Sequence, residues 1–172
     1  MLDKVCHFIV RYFTFFGNLF PQFLICCLLF AIDFHKGFEV FSVWFWGYAI
    51  NFAIKNTVRR ERPPKENWRF LTHVNGLSFP SGHSLTSLVL YWSIAKYFAI
   101  PLPWAIPFYL MPFLLGLTRL YFRVHYISDV VAGWLIAFLY VTFCSDFVVA
   151  LMGPRLYNSL FQIIPNLPFP RF

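Results

Sequence analysis

The chain has 172 residues, of which 59% are apolar, 23% aromatic and 12% charged, and its formal net charge is +7. So few charges in a chain of this length exclude an ordinary water-soluble domain and point to one membrane-embedded domain over residues 1–172. Lys55, Arg59, Arg60, Arg62, Lys65 and Arg69 lie in one stretch and Arg119 and Arg123 in another. That focus suits an anionic ligand, anionic head groups or a positive-inside anchor, and it sits between segments long enough to be buried in lipid, which leaves no nucleic acid as partner.

In chain order, residues 3–16 are apolar but short, with Lys4, His7 and Arg11 near helical spacing, and read as an interfacial helix. No small-residue cleavage site follows, so this first segment is expected to stay on the chain. Apolar runs at 17–34, 39–58, 84–101, 104–122 and 126–150 each approach the ~20 residues that cross a ~30 Å hydrocarbon core. Backbone amides in lipid must be satisfied within a segment, and no strand-like alternation occurs, so these runs predict helices. The expected fold is all-α: a polytopic transmembrane helix bundle of five or six spans with a long polar loop, Arg59 to Pro80, at one membrane face. Pro63, Pro64, Asn75, Gly76 and Pro80 keep that loop from being one helix. Pro101, Pro103, Pro107 and Pro112 predict a bend at the start of the fourth span. Cys6, Cys26, Cys27 and Cys144 have no paired spacing and read as small hydrophobes.

Three groups of residues carry chemistry. Lys55 closes the second span and Arg62 follows seven residues later, two turns on if the helix continues, so both would face the same way. A guanidinium there forks onto two phosphate oxygens while Lys55 supplies a point charge; equally, both side chains can snorkel to head groups. Pro80-Ser81-Gly82-His83 stands directly before the third span. Free amides at that helix start, the Ser81 hydroxyl and the close approach allowed by Gly82 suit an oxyanion, and His83 is placed to protonate a leaving oxygen. The same four residues also make an ordinary N-cap followed by an interfacial histidine. In the third group, Arg119 adds a cation, and His125 and Asp129 stand four apart, so that on a helix the carboxylate orients one ring nitrogen and leaves the other free. That arrangement orients an imidazole nucleophile, or closes the bundle as a structural bond. Arg123 either joins the cationic cradle or faces head groups.

Lys55-x6-Arg62-Pro63, Pro80-Ser81-Gly82-His83 and Arg119-x5-His125-x3-Asp129, in that order, resemble the three-part signature of the type 2 phosphatidic acid phosphatase family, which shares its site with the vanadium haloperoxidases. The resemblance covers residues 55–129; Thr118 stands where the family commonly has serine, and six spans are usual there. It implies that His125 attacks phosphorus to give a phosphohistidine, that Asp129 positions it, and that His83 is the general acid and later activates water. Lys55, Arg62, Ser81, Gly82 and Arg119 would hold the phosphate oxygens, with no metal and no cofactor; Glu61 and Glu66 are the only carboxylates near the loop. The implied partners are a phosphorylated lipid and the bilayer. Among family substrates the chain is most similar to the bacterial lipid A 1-phosphatases, with undecaprenyl diphosphate, phosphatidylglycerol phosphate and phosphatidic acid as alternatives. The loop around Thr72, His73, Asn75 and Gly76 is placed to shape head-group choice. For a bacterial member the resemblance implies the inner membrane, with the site opening to the periplasm. The soluble haloperoxidases do not fit five apolar spans, and a non-catalytic lipid transporter or scaffold would not be expected to keep both His83 and His125. Oligomeric state is not legible in the sequence.

Overall fold

Apolar runs unbroken by turn residues become helices, and the breaks between them fall where polar or turn-forming residues interrupt the run. The computed structural model describes residues 2–69 and 74–152, with side chains from residue 8 onward. It contains α1 (Leu2–Phe15), α2 (Leu19–Ile32), α3 (Phe34–Val58), a short 3-10 turn (Lys65–Asn67), α4 (Gly82–Tyr97), α5 (Leu102–Tyr121) and α6 (Ile127–Phe143), with Ser145–Met152 helical beyond a break. No strand occurs among the described residues. Each of the five expected apolar runs therefore holds a helix. Asp33 separates α2 from α3 as an N-cap, its Oδ1 accepting the Lys36 amide at 3.1 Å.

α4 is the centre of the bundle and packs on α3, α5 and α6. Nearly every position from Ser84 to Ala95 is buried, which suits a helix surrounded on all sides. Two of its hydroxyls are satisfied locally, Thr86 Oγ1 donating to the Gly82 carbonyl at 2.9 Å and Ser87 Oγ to that of His83. Gly133 on α6 lets that helix close on the start of α4, because a Cβ there would lie 3.0 Å from the Ser81 carbonyl oxygen and from Ser84 Cβ. The outward faces carry Phe20, Phe23 and Leu28 on α2, Leu110, Leu114 and Leu117 on α5, and Leu135, Phe138 and Leu139 on α6, all exposed. So continuous an apolar surface needs a nonaqueous partner.

The spans depart from the sequence expectations. No single described helix is long and apolar enough to cross a membrane; two bent pairs reach that length and apolar composition only together, Phe8–Phe15 with Leu19–Ile32 at 53° and Ile127–Phe143 with Ser145–Met152 at 56°. The run 126–150 is thus two helices, and α1 continues into α2 across a bend while its C-terminal end docks on α5 through a 2.7 Å hydrogen bond between the Thr14 and Thr118 hydroxyls. α5 continues through Pro107 and Pro112 as one helix. The described cysteines, Cys26, Cys27 and Cys144, are free thiols, with Cys26 buried in the core; the side chain of Cys6 lies outside the described residues.

Candidate active site

The site is built where the 59–80 loop, the start of α4 and the α5–α6 connection meet. Its local order begins with Lys55. α3 ends at Val58 because Arg59 adopts the left-handed conformation at φ 51°, so Arg62 is not two helical turns on from Lys55 and the two do not share a helix face. They reach the same region through the loop instead. Lys55 Nζ donates to the carbonyls of Pro80 at 2.6 Å, Leu77 at 3.0 Å and Ser78 at 3.4 Å, tying the loop to α3. The Ser78 amide donates to the Arg60 carbonyl at 2.7 Å and the Ser81 amide to the Asp129 carbonyl at 2.9 Å. Ser81 caps α4, its buried hydroxyl accepting from the Ser84 amide at 3.4 Å and the Ser84 hydroxyl at 3.0 Å.

His125 and Asp129 do meet, though not as an i,i+4 pair on a helix. α6 starts at Ile127, so His125 precedes its N-cap Tyr126, and Asp129 turns back to accept the Tyr126 amide at 2.9 Å. His125 Nδ1 lies 3.5 Å from Asp129 Oδ2 and 3.3 Å from Ser78 Oγ, which itself donates to Asp129 Oδ2. The other carboxylate oxygen receives Arg60 Nη1 at 3.0 Å; Arg60 also stacks over the Tyr126 ring at 4.1 Å. Asp129 is wholly buried, so four donors converge on one desolvated carboxylate. With Nδ1 donating toward Asp129 and Ser78, Nε2 carries the lone pair, and Arg62 Nη1 sits on it at 2.9 Å. Arg62 is held there by the carbonyls of Val124 and Gly76, each at 2.9 Å, and its pKa is drawn down by burial, with Asp129 opposing.

Burial lowers the pKa of His125 to about 4, with the cations Arg62, Arg119 and Lys55 adding to the effect and the Asp129 hydrogen bond opposing it. An imidazole so placed is neutral, hence nucleophilic, at neutral pH. The unfolded chain takes up this proton near pH 6.5 and the folded chain only near 4. The contribution of His125 to stability is therefore intact above about 6.5 and falls away between there and about 4 as pH drops. A histidine-labelled NMR titration in detergent, assigned with His125→Gln, should place this ring near 4; a midpoint near 6.5 would contradict the buried, cation-flanked setting.

His83 and Arg119 form the second half of the site. Arg119 is 5% exposed; its Nη1 lies 3.3 Å from Thr14 Oγ1 and 3.5 Å from His83 Nε2, and its Nε has no hydrogen-bond partner among the described residues. An orphaned guanidinium N–H at such depth fits an absent anion. The turn between α1 and α2 covers the His83 ring so closely that a Cβ at Gly17 would collide with it. Beside His83 a cavity of about 380 Å³ opens, reached also by Lys55 and Gly82.

Lys55, Arg62, Ser81, Gly82, His83, Arg119, His125 and Asp129 are thus gathered in one region, while Arg123 is exposed with a φ of 56° and makes no part of it. Asn75 and Gly76 present carbonyls to Arg62; Thr72 and His73 lie outside the described residues. Arg60, Ser78 and Thr14 were not legible as site residues. Arg60 is one of six cations between residues 55 and 69, and Ser78 and Thr14 gain their partners only through tertiary contacts. Among the described residues no three His, Cys, Asp or Glu side chains cluster as a metal site would require.

The family model of the PAP2 superfamily matches residues 36–152. A curated relative, phosphatidylglycerophosphatase B of Bacillus subtilis, is 31% identical over 98 residues, covering 52% of this chain and 47% of that protein, so the match spans about half of the relative's length. Among solved structures, a transmembrane PAP2 type phosphatidylglycerolphosphate phosphatase from Bacillus subtilis superposes with a TM-score of 0.68 at 22% identity, covering 81% of this chain and 74% of that one. LpxE of Aquifex aeolicus superposes with a TM-score of 0.71 at 21% identity, covering 85% and 86%. At those identities the two structures speak for the fold. The family model spans well over half of the chain, residues 55–129 included, so the chain belongs to the PAP2 superfamily.

Proposed function

We propose that this protein is a membrane lipid phosphatase working through a phosphohistidine, with the lipid A 1-phosphate as its substrate. The observation that carries the reading is the His125 ring held between a buried Asp129 at Nδ1 and Arg62 at Nε2, with the Nε of Arg119 unpartnered among the described residues nearby. A phosphate entering this space supplies the acceptor that Arg119 Nε lacks, takes over the Arg62 Nη1 that now sits on His125 Nε2, and so frees Nε2 to face phosphorus. His125 Nε2 then forms the N–P bond as the P–O bond to the leaving group breaks, and the leaving oxygen takes a proton from His83. Water, giving its proton back to His83, cleaves the N–P bond and releases phosphate. Arg62, Arg119 and the Ser81-Gly82-His83 helix start hold the equatorial oxygens as charge moves across them. Lys55 acts here mainly by fixing the loop, since its ammonium is engaged by three carbonyls.

The exposed aromatic and aliphatic faces, the bent helix pairs and the likeness to a transmembrane phosphatase support a polytopic place in a membrane; a bacterial inner membrane, with the site toward the periplasm, is part of the proposal. Phosphatidylglycerol phosphate is the second substrate reading, favoured by the name of the Bacillus subtilis relative. The test is phosphate release by detergent-purified protein with a chelator present, offering lipid A, phosphatidylglycerol phosphate, undecaprenyl diphosphate and phosphatidic acid side by side. Release unaffected by the chelator is expected, and the ranking names the substrate. No release from any of the four would turn the reading to a non-catalytic lipid-binding protein.

A further inference from the structure

Asn51 lies one helical turn before Lys55 on α3, so both side chains leave the same face. It is 4% exposed, and its Nδ2 has no hydrogen-bond partner among the described residues. A buried amide N–H without a partner is uncommon and costly, and this one belongs to a residue on the wall of the 380 Å³ cavity beside His83. The other end of the amide faces Gly82, where a Cβ would stand 3.6 Å from Asn51 Oδ1. Rotation about χ2, a soft torsion, is enough to present Nδ2 to the cavity. His83 lines the cavity and His125 does not. On the reading proposed above, on which this inference rests, His83 protonates the leaving oxygen, so the space beside it receives the leaving alcohol rather than the phosphate. Leu19 and Phe52, both exposed, stand at the same cavity and give an apolar tail a way out between α2 and α3.

We propose that Asn51 is a specificity-determining residue: its amide N–H donates to an acceptor oxygen carried by the leaving alcohol of an amphiphilic phosphate ester. The cavity therefore favours leaving groups with a hydroxyl, carbonyl or phosphate oxygen close to the cleaved bond over plain alkyl alcohols. A site whose buried donor is left unpaired discriminates against the analogue lacking the acceptor.

The experiment compares kcat/KM for phosphatidylglycerol phosphate, whose leaving group bears a hydroxyl next to the ester carbon, with that for dodecyl phosphate, whose leaving group bears none. The wild-type protein should prefer the former, and Asn51→Leu, close in volume, should shrink that preference by about tenfold or more, one hydrogen bond's worth. Asn51→Ala removes the amide without adding bulk and should give the same selective loss, which covers the case that the leucine variant does not fold. Thermal unfolding in detergent identifies that case. An equal loss on both substrates, or an unchanged preference, overturns the assignment of Asn51. Failure of the wild-type protein to hydrolyse either substrate overturns this inference, and the phosphatase reading falls with it only if lipid A, undecaprenyl diphosphate and phosphatidic acid are left intact as well.

Discussion

Replacing His125 with alanine should lower kcat for phosphate release by at least about 10³-fold, because the covalent route is deleted rather than weakened. The fold should survive the change. His125 lies in the connection before α6, and Asp129 keeps the Ser78 hydroxyl, the Tyr126 amide and Arg60 when the imidazole is gone. The measurement is turnover on the best lipid of the panel together with the unfolding midpoint in detergent. Near-normal turnover in a folded variant would remove His125 from the mechanism.

The second large effect is expected from Asp129→Asn. All four neighbours of this carboxylate point hydrogens at it: Ser78 Oγ, the Tyr126 amide, Arg60 Nη1 and the Nδ1 of His125. An amide of the same shape turns an NH2 group toward at least one of those donors and removes the charge that fixes the tautomer with a free Nε2. By comparison with other imidazoles that lose an orienting carboxylate, kcat should fall roughly 10²–10⁴-fold. Stability should fall by about 2–3 kcal/mol, since a buried pairing is broken at a residue with no exposure while Arg60 stays partly solvated. Steady-state kinetics and chemical denaturation of the variant check both; a variant with wild-type kcat would make Asp129 a cap for α6 and nothing more.

Much of the bundle was legible because hydropathy alone marks where helices run, and the three motifs were legible because their spacing survives in one dimension. What was not legible lies in how turns end those helices. Nothing in Arg59 as a residue type announces the left-handed conformation that stops α3, and without it Lys55 and Arg62 read as partners on one face. The i,i+4 spacing of His125 and Asp129 gave the right contact for a different reason, since their pairing comes from capping at the start of α6 and from Ser78 across the loop. The break after Phe143 carries no proline or glycine. It places Ser145 and Asp146 against Lys96 of α4, at 3.0 and 2.7 Å, and such a pairing is set by tertiary packing rather than by local sequence. Arg60 was hidden in its basic stretch for the same reason: only the fold singles out which of six neighbouring cations meets the buried carboxylate.

The covalent step is the centre of the account, and rapid quench tests it most directly. The purified protein is mixed with lipid phosphate labelled at phosphorus, stopped within milliseconds to seconds in alkali, where phosphohistidine persists, and digested for mass spectrometry. Label on the peptide containing His125, lost on continued incubation and missing from His125→Ala, is the expected result. Turnover with no enzyme-bound label at any quench time, or label that persists in His125→Ala, would contradict a phosphohistidine at this position.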